Sequence, residues 1–527
     1  MALPAHPPSS LRTRWLIAAA IVALLFTLQS LRRVGSGPWG VDGSYYMQVA
    51  RHVAAGNGLL TSVELYHQGL ETLPAPTNIY PVWPLLLGSS ARLIPLATAA
   101  TVVPRLLSIA ALLLLYWLTS RVFPGRPSDL LPIDYGHIAV LLLGLNISFF
   151  SSGCYPYTEP LAFVLTFGAL LLLDGASSSG RASLFAASGA AAALAFMTRS
   201  QMLLLAPAIA IALLIGMRRR TVTLRACASW VAGCMLPLAI WIAHLATRFA
   251  PFSLRDLVAM RSGTAGIPPV EHHVATSGAL DYVLDRLAGF LVMFNPFSTM
   301  SFVNTFGPAA MLVPVALVVW IMRRRASPPE TQVRTPAIQA IVFSGLFMSL
   351  VLLHTHNRFF IEWLFGYRHG LPFILLLVPS VAFLMGHGGR VLRAVAALCV
   401  AASVLMGAVR AAAFVTVTPE EWPSQGETDL ARWLEANDPE AILLTTNAQA
   451  MAVASNANFR WTACSQSPET TRRLLTLVRT DYVMVYEGEL RCSFAAGLPD
   501  LLTQVQQFGV EPERIVLLEN AARRYPR

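Results

Sequence analysis

The stretch PVWPLLLGSSARLIPLA, residues 81–97, decides how this chain is threaded. It is apolar enough to pass for a membrane span, yet Pro81, Pro84, Pro95, Gly88 and Arg92 interrupt it. Proline removes a backbone donor and breaks helices. A segment this broken suits an interfacial or re-entrant position rather than a crossing. Whether it crosses fixes the side on which every later loop lies.

The 527 residues are 55% hydrophobic and only 13% charged, with a mean hydropathy of +0.57. A soluble domain carries about 25% charged residues. A helix needs about 20 apolar residues to cross a bilayer. Besides 81–97, apolar runs occupy 15–31, 101–120, 136–152, 159–174, 182–197, 202–217, 224–246, 304–322, 336–354, 370–386 and 394–411. They are too long for barrel strands. The composition therefore describes a polytopic α-helical membrane protein.

Arginines set its orientation. Clusters at Arg12/Arg14, Arg121/Arg126, Arg181, Arg218–Arg220 with Arg225, Arg323–Arg325 with Arg334, and Arg390/Arg393 should face the cytoplasm. From Arg121 onward two apolar runs separate each cluster from the next. Only the first interval holds three, so one run there should not cross, and 81–97 is the candidate. This leaves about 11 transmembrane helices, an N-terminus in the cytoplasm and a long first outer loop, 32–100. The expected location is the plasma or inner membrane. Arg12 and Arg14 before the first run could mark a signal peptide, but no small-residue cleavage site follows, so a retained anchor is expected.

The net charge of +10 does not point to nucleic acid, because the arginines sit between apolar runs rather than along one face. Of six cysteines, Cys154, Cys227, Cys234 and Cys399 lie in or beside apolar runs and read as packing residues. Cys464 and Cys492 lie in the polar tail, where pairing is open and requires an oxidising compartment.

Residues 1–411 form the transmembrane domain and 412–527 a small C-terminal α/β soluble domain outside. In that tail 426–437, 468–479 and 496–507 read as helices, and 441–446, 482–486 and 514–519 as strands.

Parity gathers the ionisable groups at one rim of the bilayer: Asp42 after the first span, Glu159 opening another, Arg199 between two, and Arg358, Glu362 and Arg368 in one short loop. Polar groups at membrane depth are costly and mark function. Guanidiniums bind phosphate bidentately and keep their charge. A carboxylate beside them can take a proton from an attacking hydroxyl. If a lipid phosphate leaves, it departs as a stable anion and needs no acid, so one base suffices.

At this point the sequence resembles the GT-C class of integral membrane glycosyltransferases, which includes aminoarabinose transferases, protein O-mannosyltransferases and oligosaccharyltransferases. The likeness rests on DGSYYMQVARHVAAGNGL (42–59), NIYPVWPLLLG (78–88), YTEPLAFVLTFGALLLL (157–173), MTRSQMLLLAP (197–207) and YRHGLPFILLLVP (367–379). The resemblance implies that Asp42 is the first-loop catalytic acid, acting as general base on the acceptor. Many members carry a second acid directly after it; here that place is Gly43. Glu159 matches the second-loop acid, and Arg199 and Arg368 match positions facing the lipid phosphate. The implied donor is a polyprenyl-phosphate sugar, and the acceptor a glycan, lipid or protein. The cofactor is left open, a divalent metal ion being the candidate. Glu64, His67, Glu71, Glu271, His272 and His273 are available outer-loop ligands without diagnostic spacing.

Plainer readings stand beside these. Asp42 can be a helix N-cap, Glu159-Pro160 an ordinary helix start, and the arginines snorkelling anchors. Tyr45, a candidate substrate contact, and Tyr46 can be interface-belt aromatics. His354 and His356, two apart, do not share a helix face. A transporter or flippase of a lipid-linked sugar is the rival function, although repeated halves and broken mid-membrane spans are absent. A ligase using diphosphate-linked glycans, with outer-loop His and Arg in place of Asp42, is a third.

Overall fold

The computed structural model describes residues 11–32, 40–64, 73–125 (78 and 79 excepted), 133–248, 302–326, 336–355, 368–417 (369 excepted), 424–446 and shorter stretches of the tail to 520. Helix α1 spans Leu11–Leu31, α2 Gly40–Ala54, α3 Val82–Ser90 and α4 Leu96–Val122. Then follow α5 (Tyr135–Gly144), α6 (Ile147–Ser152), α7 (Glu159–Ser179), α8 (Ala182–Phe196), α9 (Leu205–Arg218) and α10 (Leu224–Arg248). The later helices are α11 (Phe302–Phe306), α12 (Leu312–Ala326), α13 (Pro336–Thr355), α14 (Ile374–His387) and α15 (Arg390–Thr416). Among the described residues, seven helical segments are long and apolar enough to cross a membrane, and four shorter apolar helices accompany them. The protein is a multi-pass helical membrane protein.

Segment 81–97 folds as its prolines require. It forms only the nine-residue α3, about 13.5 Å long at helical rise, against a hydrocarbon core of about 30 Å. Pro95 then precedes α4, which starts at Leu96 rather than 101. The run 136–152 is also not continuous. Asn146 breaks it and caps α6, accepting from the backbone N–H groups of Ser148 and Phe149.

The bundle shares one apolar core, and its outer surface bears side chains such as Leu224, Leu398 and Leu405 in the open. Between helices in lipid, packing rather than water exclusion supplies the attraction, so close approach matters. Helices α8 and α10 meet at two glycines. A Cβ on Gly189 would collide with the carbonyl of Trp230, and one on Gly233 with the backbone of Ala186.

The tail holds α16 (Gln425–Asn437) and strands β4 (Ile442–Thr445), β5 (Asn458–Trp461), β6 (Tyr482–Tyr486), β7 (Leu502–Phe508) and β8 (Ile515–Asn520). Ser424 and Glu427 close a capping box at the start of α16. The predicted helix at 496–507 is corrected: residues 502–508 are strand β7, antiparallel to β8. Thr503-Gln504-Val505-Gln506-Gln507 has no helical apolar stripe, and pairing with the apolar β8 decides its form. The predicted helix 468–479 and both tail cysteines lie outside the described residues apart from isolated positions.

The first loop contributes to the same sheet. Short strands β1 (Leu60–Thr61), β2 (Val63–Glu64) and β3 (Ala75–Pro76) follow α2. Strand β2 pairs in parallel with β5, giving the six-strand order β2-β5-β4-β6-β8-β7. Val63 is buried in the apolar cluster of the tail with Leu430, Phe459 and Met484.

Candidate active site

Four charged side chains meet where α2, α7, the α8–α9 turn and the start of α14 converge. Arg368 Nη2 donates to Asp42 Oδ2 at 2.6 Å. Its Nε lies 3.4 Å from Glu159 Oε1, and Arg199 Nη1 donates to that same oxygen at 2.7 Å. One guanidinium thus bridges two carboxylates, and a second closes on the deeper one. Arg199 also donates to Thr158 Oγ1 and Gln201 Oε1.

Local structure explains each position. Asp42 lies in the first turn of α2, not at an N-cap, and Glu159 is the first residue of α7. Both carboxylates therefore sit at positive helix ends, which favours their charge. Pro160 suits the first turn of α7, where its missing N–H costs nothing. Arg199 is extended in the turn before the 3₁₀ segment Ser200–Leu204.

Helix α3 clamps this arrangement. Trp83 Nε1 donates to the carbonyl of Pro156, and Val82 N–H to that of Met197. Gly88 lets α3 press on α2, since a Cβ there would lie 2.6 Å from the Ala50 carbonyl. Helix α3 thus holds the Asp42 helix beside the turns bearing Glu159 and Arg199.

The carboxylates differ in setting. The Glu159 side chain is 1% exposed and that of Asp42 43%. Among the described residues two buried polar atoms here have no hydrogen-bond partner: Glu159 Oε2 and Arg368 Nη1. A tyrosine pair frames the charges. The Arg368 guanidinium lies 4.1 Å over the Tyr157 ring, a cation–π contact. Burial raises the Tyr46 hydroxyl above its ordinary range, with Asp42 adding to the shift. For Arg368 burial alone would lower the pKa, but Glu159 and Asp42 outweigh it and hold the group protonated.

Of the sequence candidates, the structure brings together Asp42, Glu159, Arg199 and Arg368. Tyr45 is elsewhere: its hydroxyl bonds with Thr77 Oγ1 and its ring packs on the apolar cluster of the tail. Its neighbour Tyr46 is within electrostatic reach of all four charges. Sequence reasoning missed Tyr157 as a platform, although it stands two residues before Glu159. Arg358, Glu362, His67, Glu71, Glu271, His272 and His273 lie outside the described residues, as does the side chain of Glu64.

The Arg368 guanidinium, not an open space, separates the Asp42 and Glu159 carboxylates. A metal between Asp42 and Glu159 would need the place that the Arg368 guanidinium holds. Among the described residues no three His, Cys, Asp or Glu side chains form a cluster able to hold one.

The helical bundle shares its fold with membrane enzymes of known structure. The structural neighbours are GT-C glycosyltransferases. The oligosaccharyltransferase of Archaeoglobus fulgidus superimposes in its apo form with a TM-score of 0.57 at 11% identity, over 97% of this chain and 75% of that one. The enzyme, AglB, solved with an inhibitory peptide and a dolichol-phosphate, gives 0.55 at 11% identity, over 98% and 75%. The mycobacterial arabinofuranosyltransferase AftD gives 0.51 at 15% identity, over 98% of this chain and 40% of that one. At these identities the shared property is the fold. No protein-family model and no curated protein sequence matches the chain.

Proposed function

We propose that this protein is a glycosyltransferase that moves a sugar from a polyprenyl-phosphate donor to an acceptor hydroxyl or amine at the outer membrane face. The observation that carries the reading is the bridge from Arg368 to both Asp42 and Glu159. The neighbour solved with a dolichol-phosphate supports a lipid phosphate as the leaving group. The proposal includes the threading deduced from the arginines: eleven spans, an N-terminus inside, and the tail as an α/β domain outside.

In the resting site Asp42 is ion-paired with Arg368. A donor phosphate competes for the same guanidinium, because charge-assisted bidentate bonds favour phosphate oxygens. Once Arg368 turns to the phosphate, the more exposed carboxylate of Asp42 is free. It accepts the acceptor proton as the acceptor atom bonds to the anomeric carbon. The bond from that carbon to the phosphate oxygen breaks, and its electron pair leaves with the polyprenyl phosphate. Arg368 faces the charge that develops there. Glu159, held by Arg199, fixes the direction of Arg368. Proton transfer needs no metal in this scheme.

The test is sugar transfer in vitro from a synthetic polyprenyl-phosphate sugar. Asp42→Asn should lower turnover by about 10²–10⁴-fold, the usual worth of a general base. Undiminished transfer refutes the mechanism. Donor flux across vesicles without chemistry would favour a flippase instead.

A further inference from the structure

A second cationic cluster lies apart from these four charges. Arg32 follows α1 and is 6% exposed. Its Nη1 donates to the carbonyls of Phe414 and Val417 at the end of α15, and its guanidinium stands 4.6 Å over the Phe414 ring. Arg105, on α4, reaches the Arg32 carbonyl at 3.5 Å. Ser108 is three residues further along α4, on the same face, beside Gly153 and Gln29. Among the described residues three buried polar atoms in this cluster have no hydrogen-bond partner: Arg32 Nε, Arg105 Nε and Ser108 Oγ.

Charge balance makes the cluster unusual. Neither arginine forms an ion pair among the described residues, whereas Arg368 and Arg199 each hold a carboxylate. The end of α15 offers a partial negative charge to Arg32, whereas among the described residues Arg105 donates to one carbonyl at the long distance of 3.5 Å. Arg32 is buried and Arg105 half-buried beside it, and two like charges held this close call for a counter-charge. Two guanidiniums and a hydroxyl are the donors that a phosphate group takes.

An aromatic ladder joins the two clusters. The Phe414 and Tyr155 centroids are 6.1 Å apart, and those of Tyr155 and Tyr157 5.7 Å, with the Arg368 guanidinium over the Tyr157 ring. We propose that Arg32, Arg105 and Ser108 form a second anion site, for a phosphate group, at the opposite end of the Phe414–Tyr155–Tyr157 ladder from Asp42. It goes beyond the transferase reading and stands without it. The phosphate comes from a lipid headgroup or from free phosphate, with the same recognition chemistry.

The experiment titrates the purified full chain, in uncharged detergent, with short-chain phosphatidic acid in one arm and inorganic phosphate in the other. Native mass spectrometry counts the bound species. Arg32 also caps α15, so Arg105→Gln and Ser108→Ala are the informative variants. Arg105→Gln should weaken one binding event about tenfold or more, by loss of charge-assisted bonds, and Ser108→Ala should weaken it less. Arg368→Gln should leave that event intact. Lipid binding alone assigns a headgroup site, and binding in the phosphate arm a free-ion site. The proposal fails if Arg105→Gln and Ser108→Ala bind both probes as the wild type does. It also fails if the wild type binds neither, or if Arg368→Gln abolishes the same event.

Discussion

Replacing Arg199 by Gln should damage the fold more than replacing the residue it pairs with. Glu159 is 1% exposed and receives Arg199 at 2.7 Å and Arg368 at 3.4 Å. Removing one partner of a buried pair costs about 3–5 kcal/mol, because the other charge is stranded. Arg368 still offers partial compensation, so about 3 kcal/mol is expected for Arg199→Gln. Glu159→Gln leaves Arg199 with neutral acceptors at Thr158 and Gln201, and should cost about 1–2 kcal/mol. The double variant removes both charges and should be no less stable than Arg199→Gln alone. The measurement is the thermal unfolding midpoint of all four proteins in one detergent. The expected order is wild type, Glu159→Gln, the double variant together with or above Arg199→Gln. Simple additivity of the two losses would show that these groups do not act as a pair, and would refute the reasoning.

Arg368→Lys keeps the charge but not the fork or the stacking plane, so transfer should fall about 10²-fold, with the thermal midpoint little changed. Gly189→Val places a branched side chain against the Trp230 carbonyl. It should lower the midpoint and the folded yield, at a cost of about 1–3 kcal/mol or more for an overpacked contact. Burial, and then Arg51, lower the His52 pKa below its usual 6.5. Between that value and the lower folded one, the unfolded chain binds the proton and the folded chain does not. Stability should therefore decline as pH falls below 6.5 and level off once the folded form titrates. His52→Gln should flatten that part of a melting-against-pH curve.

The apolar runs show directly in the sequence because bilayer thickness demands them, and the prolines of 81–97 marked the segment that stays short. Asp42, Glu159, Arg199 and Arg368 stood out because ionisable groups are rare in such a chain. Their pairing did not, since Asp42 and Arg368 are 326 residues apart and only folding brings them together. The choice between Tyr45 and Tyr46 turns on about 100° of helix rotation, which spacing alone does not fix. Strand β5 escaped notice because Asn458-Phe459-Arg460-Trp461 buries an arginine among apolar neighbours. Strand β2 is two residues long and acquires its form from β5. The tail strands β4, β6 and β8 were legible as short apolar runs, whereas the polar β7 takes its identity from its neighbour.

The pairing of Val63 with Phe459 has a consequence for biosynthesis. The ribosome makes β2 long before β5, so the first loop waits with an unfilled edge until residues 458–461 arrive. A polypeptide cut short before residue 458 would insert its helices yet leave that loop unanchored, with Asp42 on a helix missing one of its braces. Synthesis past β5 thereby becomes a condition for bracing the first loop, and a product cut short before it should lose that brace.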